Sequence, residues 1–177
     1  MREYIVIYNV NSRGKNLSKE YLTQLFEKNQ LKAKIFMTRN TSEVENIIEK
    51  YSNDKKYSYC AIGGDGTINS LIDVLLKLGL SKPIVGCLPS GSGSDFLRTF
   101  AIPQDIEKAI VHLKGDTTYL IDTAIVTSSN REKHFVNVLN FGFLADTVEM
   151  SEKLPKIFRR FRSGSYTHLR AHETTSD

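Results

Sequence analysis

The stretch "YSYCAIGGDGTINSLIDVLLKLG", residues 57–79, sets an apolar run, a cluster of glycines and an amphipathic run in immediate succession. "YSYCAI" is short, apolar and aromatic, of strand length. In "INSLIDVLLKLG" the residues Ile68, Leu71, Ile72, Leu75 and Leu76 recur at helical spacing, and Gly79 is a natural stop. The unit therefore reads as strand, glycine loop, helix. Gly63, Gly64 and Gly66 each raise the entropy cost of ordering the chain, so their cluster marks a tight turn or a close approach of backbone to something bound. Bare amides running into a helix N-terminus favour an anion such as phosphate. Asp65 opposes a naked polyphosphate but suits one carrying Mg²⁺, which is typically held by carboxylates together with phosphate oxygens and water; the alternative is an ordinary turn aspartate. Thr67 either caps the helix or hydrogen-bonds a phosphate.

Working outward, the same alternation repeats. "EYIVIYNV" reads as a strand, "NSRGK" as a turn, and "LSKEYLTQLFEKN" as a helix with Ser18 as its N-cap and Leu22, Leu25 and Phe26 on one face. "LKAKIFMT" reads as a strand, and "TSEVENIIEKY" as a helix whose Ser42 and Glu45 have the spacing of a capping box. "PIVGCL" is the next strand, leading into a second glycine loop, "PSGSGSD", which should lie beside the first. "DIEKAIVHLKG" reads as one more helix. Strands alternating with helices in this way predict a parallel sheet covered on both faces, a Rossmann-like α/β domain over residues 1–116. The rhythm then changes. "TTYLIDTAIV" and "KHFVNVLNF" read as two strands joined by the polar "TSSNRE", a hairpin that opens an antiparallel layer from residue 117.

The 177 residues suit one domain or a domain and a half, at ordinary composition and a net charge of +4. Much of the basic excess lies late, in "KLPKIFRRFRS", which argues against a uniformly nucleic-acid-binding surface. Cys60 and Cys87 sit in apolar runs, and "MREYIVIYNV" lacks the apolar core of a signal peptide, so a reduced, cytoplasmic protein is expected. No apolar stretch approaches the roughly 20 residues of a membrane-spanning helix, so any membrane contact is expected to be peripheral. Neither a P-loop nor a complete G-x-G-x-x-G is present, and the histidines lack metal-site spacing, so His112 and His134 read as structural. Ser92 does not sit in a G-x-S-x-G elbow, which leaves a hydrolase triad unsupported.

"GGDGTIN" at 63–69, "LPSGSGSDFLR" at 88–98, "IDTAIV" at 121–126 and "HFVNVLNFGFLAD" at 134–146, with "NVNSRG" at 9–14, together resemble the diacylglycerol kinase catalytic domain family, which includes bacterial lipid kinases and sphingosine kinases. NAD kinases and phosphofructokinases have loops like the first of these; the second loop discriminates in favour of the lipid kinases. The resemblance implies Mg²⁺–ATP bound by Gly63, Gly64, Asp65, Gly66 and Thr67, with Ser90, Gly91, Ser92, Gly93 and Asp95 of the second loop and Asn11 nearby. Asp65 would serve the metal. Asp122 matches an acidic position used toward the acceptor hydroxyl, the alternative being a strand-edge or turn carboxylate, and the activity implied is γ-phosphoryl transfer to a lipid such as diacylglycerol. Arg98 either meets phosphate or pairs with Asp95.

Several positions depart from the family pattern: Val10 stands for its proline, Ser70 for a glutamate and Ser94 for an asparagine. The resemblance further implies a β-rich second domain, of which residues 117–166 would be the first strands and 167–177 an unrelated tail, so a shortened form is expected. "EKLPKIFRRFRS" has an apolar stripe among basic residues, which either packs on such a domain or lies on an anionic membrane surface. Two other readings stay open: an enzyme of the NAD kinase kind with a soluble acceptor, and a nucleotide-binding fragment without catalysis.

Overall fold

Strand β1 (Glu3–Asn9) is buried over all five of its central residues, Tyr4 to Tyr8, which is the signature of a strand covered on both faces. The computed structural model describes residues 2–12, 14–90, 94–128 and 131–136. After β1 come α1 (Lys19–Lys28), β2 (Lys32–Thr38), α2 (Thr41–Tyr51), β3 (Tyr57–Gly63), α3 (Asp65–Lys77), β4 (Val85–Pro89), α4 (Asp95–Thr99) and α5 (Ile106–Ala109). A 3-10 helix, Ile110–Lys114, continues α5, and β5 (Ala124–Ser128) and β6 (Arg131–Phe135) close the described chain.

The first four strands form one parallel sheet in the order β2-β1-β3-β4. Alternate residues of each strand feed separate cores. Tyr4, Val6, Tyr8, Cys60, Ile62 and Leu88 pack with Leu22, Leu25 and Phe26 of α1 and with Ile106, Ile110 and Leu113. Ile5, Ile7, Tyr59, Ala61 and Cys87 pack on the other face with Val44, Ile48, Ile68, Leu71, Leu75, Phe96 and Leu97. Cys60 and Cys87 thus lie on opposite faces; both are free and buried, and burial pushes the Cys87 thiol up to about 12. The expected parallel sheet with helices on both faces is present, as is the antiparallel β5–β6 hairpin.

Most helix signals act where they stand in the sequence. Ser18 Oγ accepts from Tyr21 N at 3.1 Å as the cap of α1. Gly79, at φ 75°, ends α3 in a Schellman motif, with Leu80 N donating to Leu75 O and Gly79 N to Leu76 O. Gln30 and Ala101 hold the equivalent left-handed positions after α1 and α4 without being glycine.

Three expectations need correcting. The capping box of α2 sits two residues earlier than Ser42 and Glu45: Asn40 is the N-cap, its Oδ1 accepting from Glu43 N, while Glu43 Oε2 accepts from Arg39 N. Asparagine in an extended conformation satisfies the first turn there, so Ser42 lies inside the helix. "DIEKAIVHLKG" is a short α-helix capped by Asp105 followed by a 3-10 helix, instead of one α-helix. The strand expected over 117–126 begins only at Ala124, because pairing with β6 begins there; Tyr119 and Leu120 before it are 77% and 86% exposed.

Candidate functional site

The chain leaves β1 for β2 on one side and returns to β3 on the other, so the crevice beyond the carboxyl ends of β1 and β3 is a topological switch point, where open α/β sheets take ligands. Three connections meet around it: the β1–α1 loop, the glycine turn between β3 and α3, and the β4–α4 loop. Of the second glycine loop, Gly91, Ser92 and Gly93 lie outside the described residues.

The glycine turn is tight. Gly64 is the N-cap of α3, and no side chain caps that helix. Thr67 is therefore not the cap that one reading of the sequence expected: it sits within the first turn, 8% exposed, its N–H donating to Gly64 O. The amides of Asp65 and Gly66, at the positive end of the helix, have no acceptor among the described residues. The glycines differ in purpose. A Cβ on Gly63 would collide with the Thr67 side chain, so that residue is bare for packing, whereas a Cβ on Gly66 would meet nothing within 4 Å, so that residue is bare toward open space.

Asp65 does something the sequence does not show. Its Oδ1 accepts from Ser94 Oγ at 2.5 Å and from Phe96 N at 3.2 Å, and its Oδ2 accepts from Asp95 N at 3.1 Å. Ser94 in turn caps α4, accepting from Leu97 N. One carboxylate thus stands at the N-termini of two helices, where a negative charge is stabilising, and fastens the second glycine loop to the first. The described end of the second loop, Ser94 and Asp95, thus lies beside the first.

The β1–α1 loop closes the third side. Lys15 N donates to Ser90 O at 2.5 Å, the Ser12 and Ser90 hydroxyls are 3.3 Å apart, and a Cβ on Gly14 would clash with the Ser90 carbonyl. Tyr8, missed in the sequence, organises this loop: its buried hydroxyl donates to Lys15 O at 2.9 Å and accepts from Leu17 N at 3.1 Å. The need of a buried tyrosine hydroxyl for a partner is the only sequence signal that pointed to it. Beside this loop lies a hollow of about 480 Å³ lined by Gly14, Lys15, Leu17, Pro89, Ser90, Gln104 and Ile106.

The remaining candidates are placed less centrally. Asn11 turns its amide to Arg39 O at 3.1 Å, at the β2–α2 corner. Asp95 is exposed and pairs with Arg98 at 2.9 Å, which is the pairing alternative for that arginine. Asp122 is exposed, two residues before β5, and its carboxylate has no partner among the described residues. Ser70 hydrogen-bonds the Thr41 hydroxyl at 3.3 Å. Among the described residues no group of three or more metal-ligating side chains converges; Mg²⁺ is typically held by one or two carboxylates together with phosphate oxygens and water. Asp65 fits such a supporting part, since Oδ2 carries a single hydrogen bond among the described residues.

An open parallel sheet with an uncapped helix N-terminus at its switch point is the architecture of α/β domains that receive phosphate groups. The match that follows is more specific: a model of the diacylglycerol kinase catalytic domain covers residues 3–126, and the chain belongs to that family. It is 30% identical over 154 residues to a "Probable lipid kinase YegS-like" of Enterobacter sp. (strain 638), covering 86% of this chain and 50% of that protein. It is 28% identical over 159 residues to a diacylglycerol kinase of Bacillus subtilis (strain 168), covering 87% and 50% respectively. Among solved structures, a diacylglycerol kinase from Bacillus anthracis str. Sterne superposes with a TM-score of 0.53 at 20% identity, over 69% of this chain and 45% of that one, a likeness of fold. The chain spans about half the length of the curated relatives it matches.

Proposed function

We propose that the chain is the nucleotide-binding part of an ATP-dependent lipid kinase. The observation that carries this reading is the pair of amides on Asp65 and Gly66, without an acceptor among the described residues, beside the open space that a Cβ on Gly66 would enter, at the switch point of a domain of the diacylglycerol kinase family. Phosphoryl transfer needs mainly positioning and charge stabilisation, and these residues supply both. The α3 N-terminus binds the phosphates through the amides of Asp65 and Gly66 and the Gly64 turn. Asp65 holds the second loop in place and would help to hold Mg²⁺. When bound, Mg²⁺ offsets the negative charge of the phosphates. The lipid hydroxyl oxygen forms a bond to the γ-phosphorus as the bond to the β-phosphate oxygen breaks, and ADP leaves with that oxygen. Asp122 takes the hydroxyl proton.

The family and the relatives' names support a lipid hydroxyl, such as that of diacylglycerol, as the acceptor. Among the described residues no helix is long and apolar enough to cross a membrane. The stripe at 152–163, read as packing on a second domain or lying on an anionic membrane surface, lies outside the described residues. A second reading, nucleotide binding without transfer, is favoured by Ser70, which brings a hydroxyl engaged with Thr41 where the family pattern has a carboxylate. The experiment is transfer of labelled γ-phosphate from Mg²⁺–ATP to diacylglycerol in mixed micelles. Labelled lipid that disappears in Asp122→Asn supports the kinase; nucleotide binding with no labelled lipid leaves the second reading.

A further inference from the structure

Helix α3 carries two polar side chains four residues apart that both face the hairpin. Asn69 Oδ1 accepts from Val136 N at 3.1 Å, and Asp73 Oδ1 accepts from His134 N at 2.8 Å. The donors are alternate residues leading along and out of β6. The antiparallel register pairs Ser128 with Arg131 across the hairpin's turn, and ladder bonds alternate along a strand, so the His134 and Val136 amides lie on the edge of the strand away from β5. Two residues of strand advance about 6.5–7 Å, and four residues of helix rise about 6 Å. The match lets side chains on one helix do what the carbonyls of a neighbouring strand would otherwise do.

Asp73 is committed to this task at some cost. It is 5% exposed in the middle of an apolar helix, and it is further bonded by His134 Nδ1 at 3.1 Å and Lys77 Nζ at 2.8 Å. Burial works against its charge, but the bonds from Lys77 and His134 outweigh it and hold the carboxyl below its ordinary range. A buried, partnered charge contributes little net stability compared with apolar packing, and its best-attested use is to specify one arrangement among several. An apolar residue at 73 would pack against the hairpin without dictating which amide it meets.

We propose that Asn69 and Asp73 are positioning residues that clamp β6 to α3 in one register, so that the helix beginning at the phosphate-binding turn also fixes where the hairpin stands. Asp122 lies two residues before β5, so the clamp sets the approach of that carboxylate to the turn; this last consequence rests on the phosphoryl-transfer reading, while the clamp itself does not.

Hydrogen–deuterium exchange of the full chain, read by mass spectrometry over 131–136 and over β1 and β3, tests the clamp. Asn69→Ala and Asp73→Ala should each speed exchange in the 131–136 segment roughly tenfold, the equivalent of one lost hydrogen bond, with β1 and β3 unchanged. Asn69→Asp and Asp73→Asn, which keep an acceptor oxygen, should restore most of the protection. Should Asp73→Ala fail to fold, Asn69→Ala, at a part-exposed position, carries the comparison. Wild-type exchange at 131–136 in the alanine variants overturns the proposal. So does an acceleration that β1 and β3 share equally, since that would make these residues contributors to general stability. Absence of ATP binding would count against the kinase reading and leave the exchange result standing.

Discussion

Replacing Asp65 by asparagine, in the absence of any ligand, asks whether this carboxylate is first of all a structural bolt. Its two oxygens receive three hydrogen bonds from the start of α4. Asparagine keeps one oxygen, which can still serve Ser94 Oγ and Phe96 N, but it turns an NH₂ group toward the Asp95 N–H, donor against donor. One charge-assisted bond is lost outright, at about 1.5 kcal/mol, and two become neutral bonds, at a further 0.5 kcal/mol or so each. Removing the negative charge from two helix N-termini adds about 0.5 kcal/mol. The total is about 3 kcal/mol, or about 6–12 °C in Tm for a chain of this size. Thermal unfolding followed by circular dichroism measures it. Ser94→Ala alone should cost about 1–2 kcal/mol, and the double variant should cost clearly less than the sum, because both act on the same cap. A Tm within 2 °C of wild type for Asp65→Asn, or strict additivity with Ser94→Ala, refutes the bolt. If the bolt holds, loss of nucleotide binding in Asp65→Asn reports a displaced second loop as much as a lost metal contact.

Three further outcomes follow from the same geometry. Tyr8→Phe leaves the buried Leu17 N–H without its acceptor and frees Lys15 O, so urea unfolding should show a loss of about 2–3 kcal/mol. Gln30→Gly and Ala101→Gly, at φ 57° and 53°, should each raise stability by about 0.5–1 kcal/mol, visible as a Tm increase of about 1–4 °C. Because the Asp73 carboxyl is held below its ordinary value, its contribution is present above the unfolded-state pKa of about 3.9 and is lost as pH falls through the folded-state value; the stability gap between wild type and Asp73→Asn should narrow as pH drops from about 5 to 3.

What the sequence makes legible is local. The periodicity of α3, its stop at Gly79, the cap at Ser18 and the alternation of strand and helix that implies a parallel sheet are all set by residues within a few positions of one another. The α2 cap was displaced by two residues because Asn40 and Glu43 offer the same spacing as Ser42 and Glu45 with a better cap residue. The shortened β5 depended on where its partner strand begins. The contacts that build the site are long-range: Asp65 meets residues 29 to 31 positions away, Lys15 meets Ser90, and Asp73 meets His134 across 61 positions. No pattern in one stretch encodes such pairings. Asp73 alone left a trace, as a lone charge in the otherwise apolar run "LIDVLL".

The most direct test of the phosphate-binding claim uses Gly66, whose missing Cβ the fold itself does not require. In a helix, Gly66→Ala should stabilise the ligand-free chain by about 0.5–1 kcal/mol, raising Tm by about 1–4 °C, while a methyl group now stands where the phosphate would meet the bare turn. A thermal-shift titration with Mg²⁺–ATP on wild type and Gly66→Ala separates the two effects. At about 100 times Kd the ligand adds about 2.7 kcal/mol, so wild type should rise by about 5–11 °C, and Gly66→Ala should start higher and rise little. No rise in the wild type, or an equal rise in Gly66→Ala, would contradict the placement of phosphate at the start of α3.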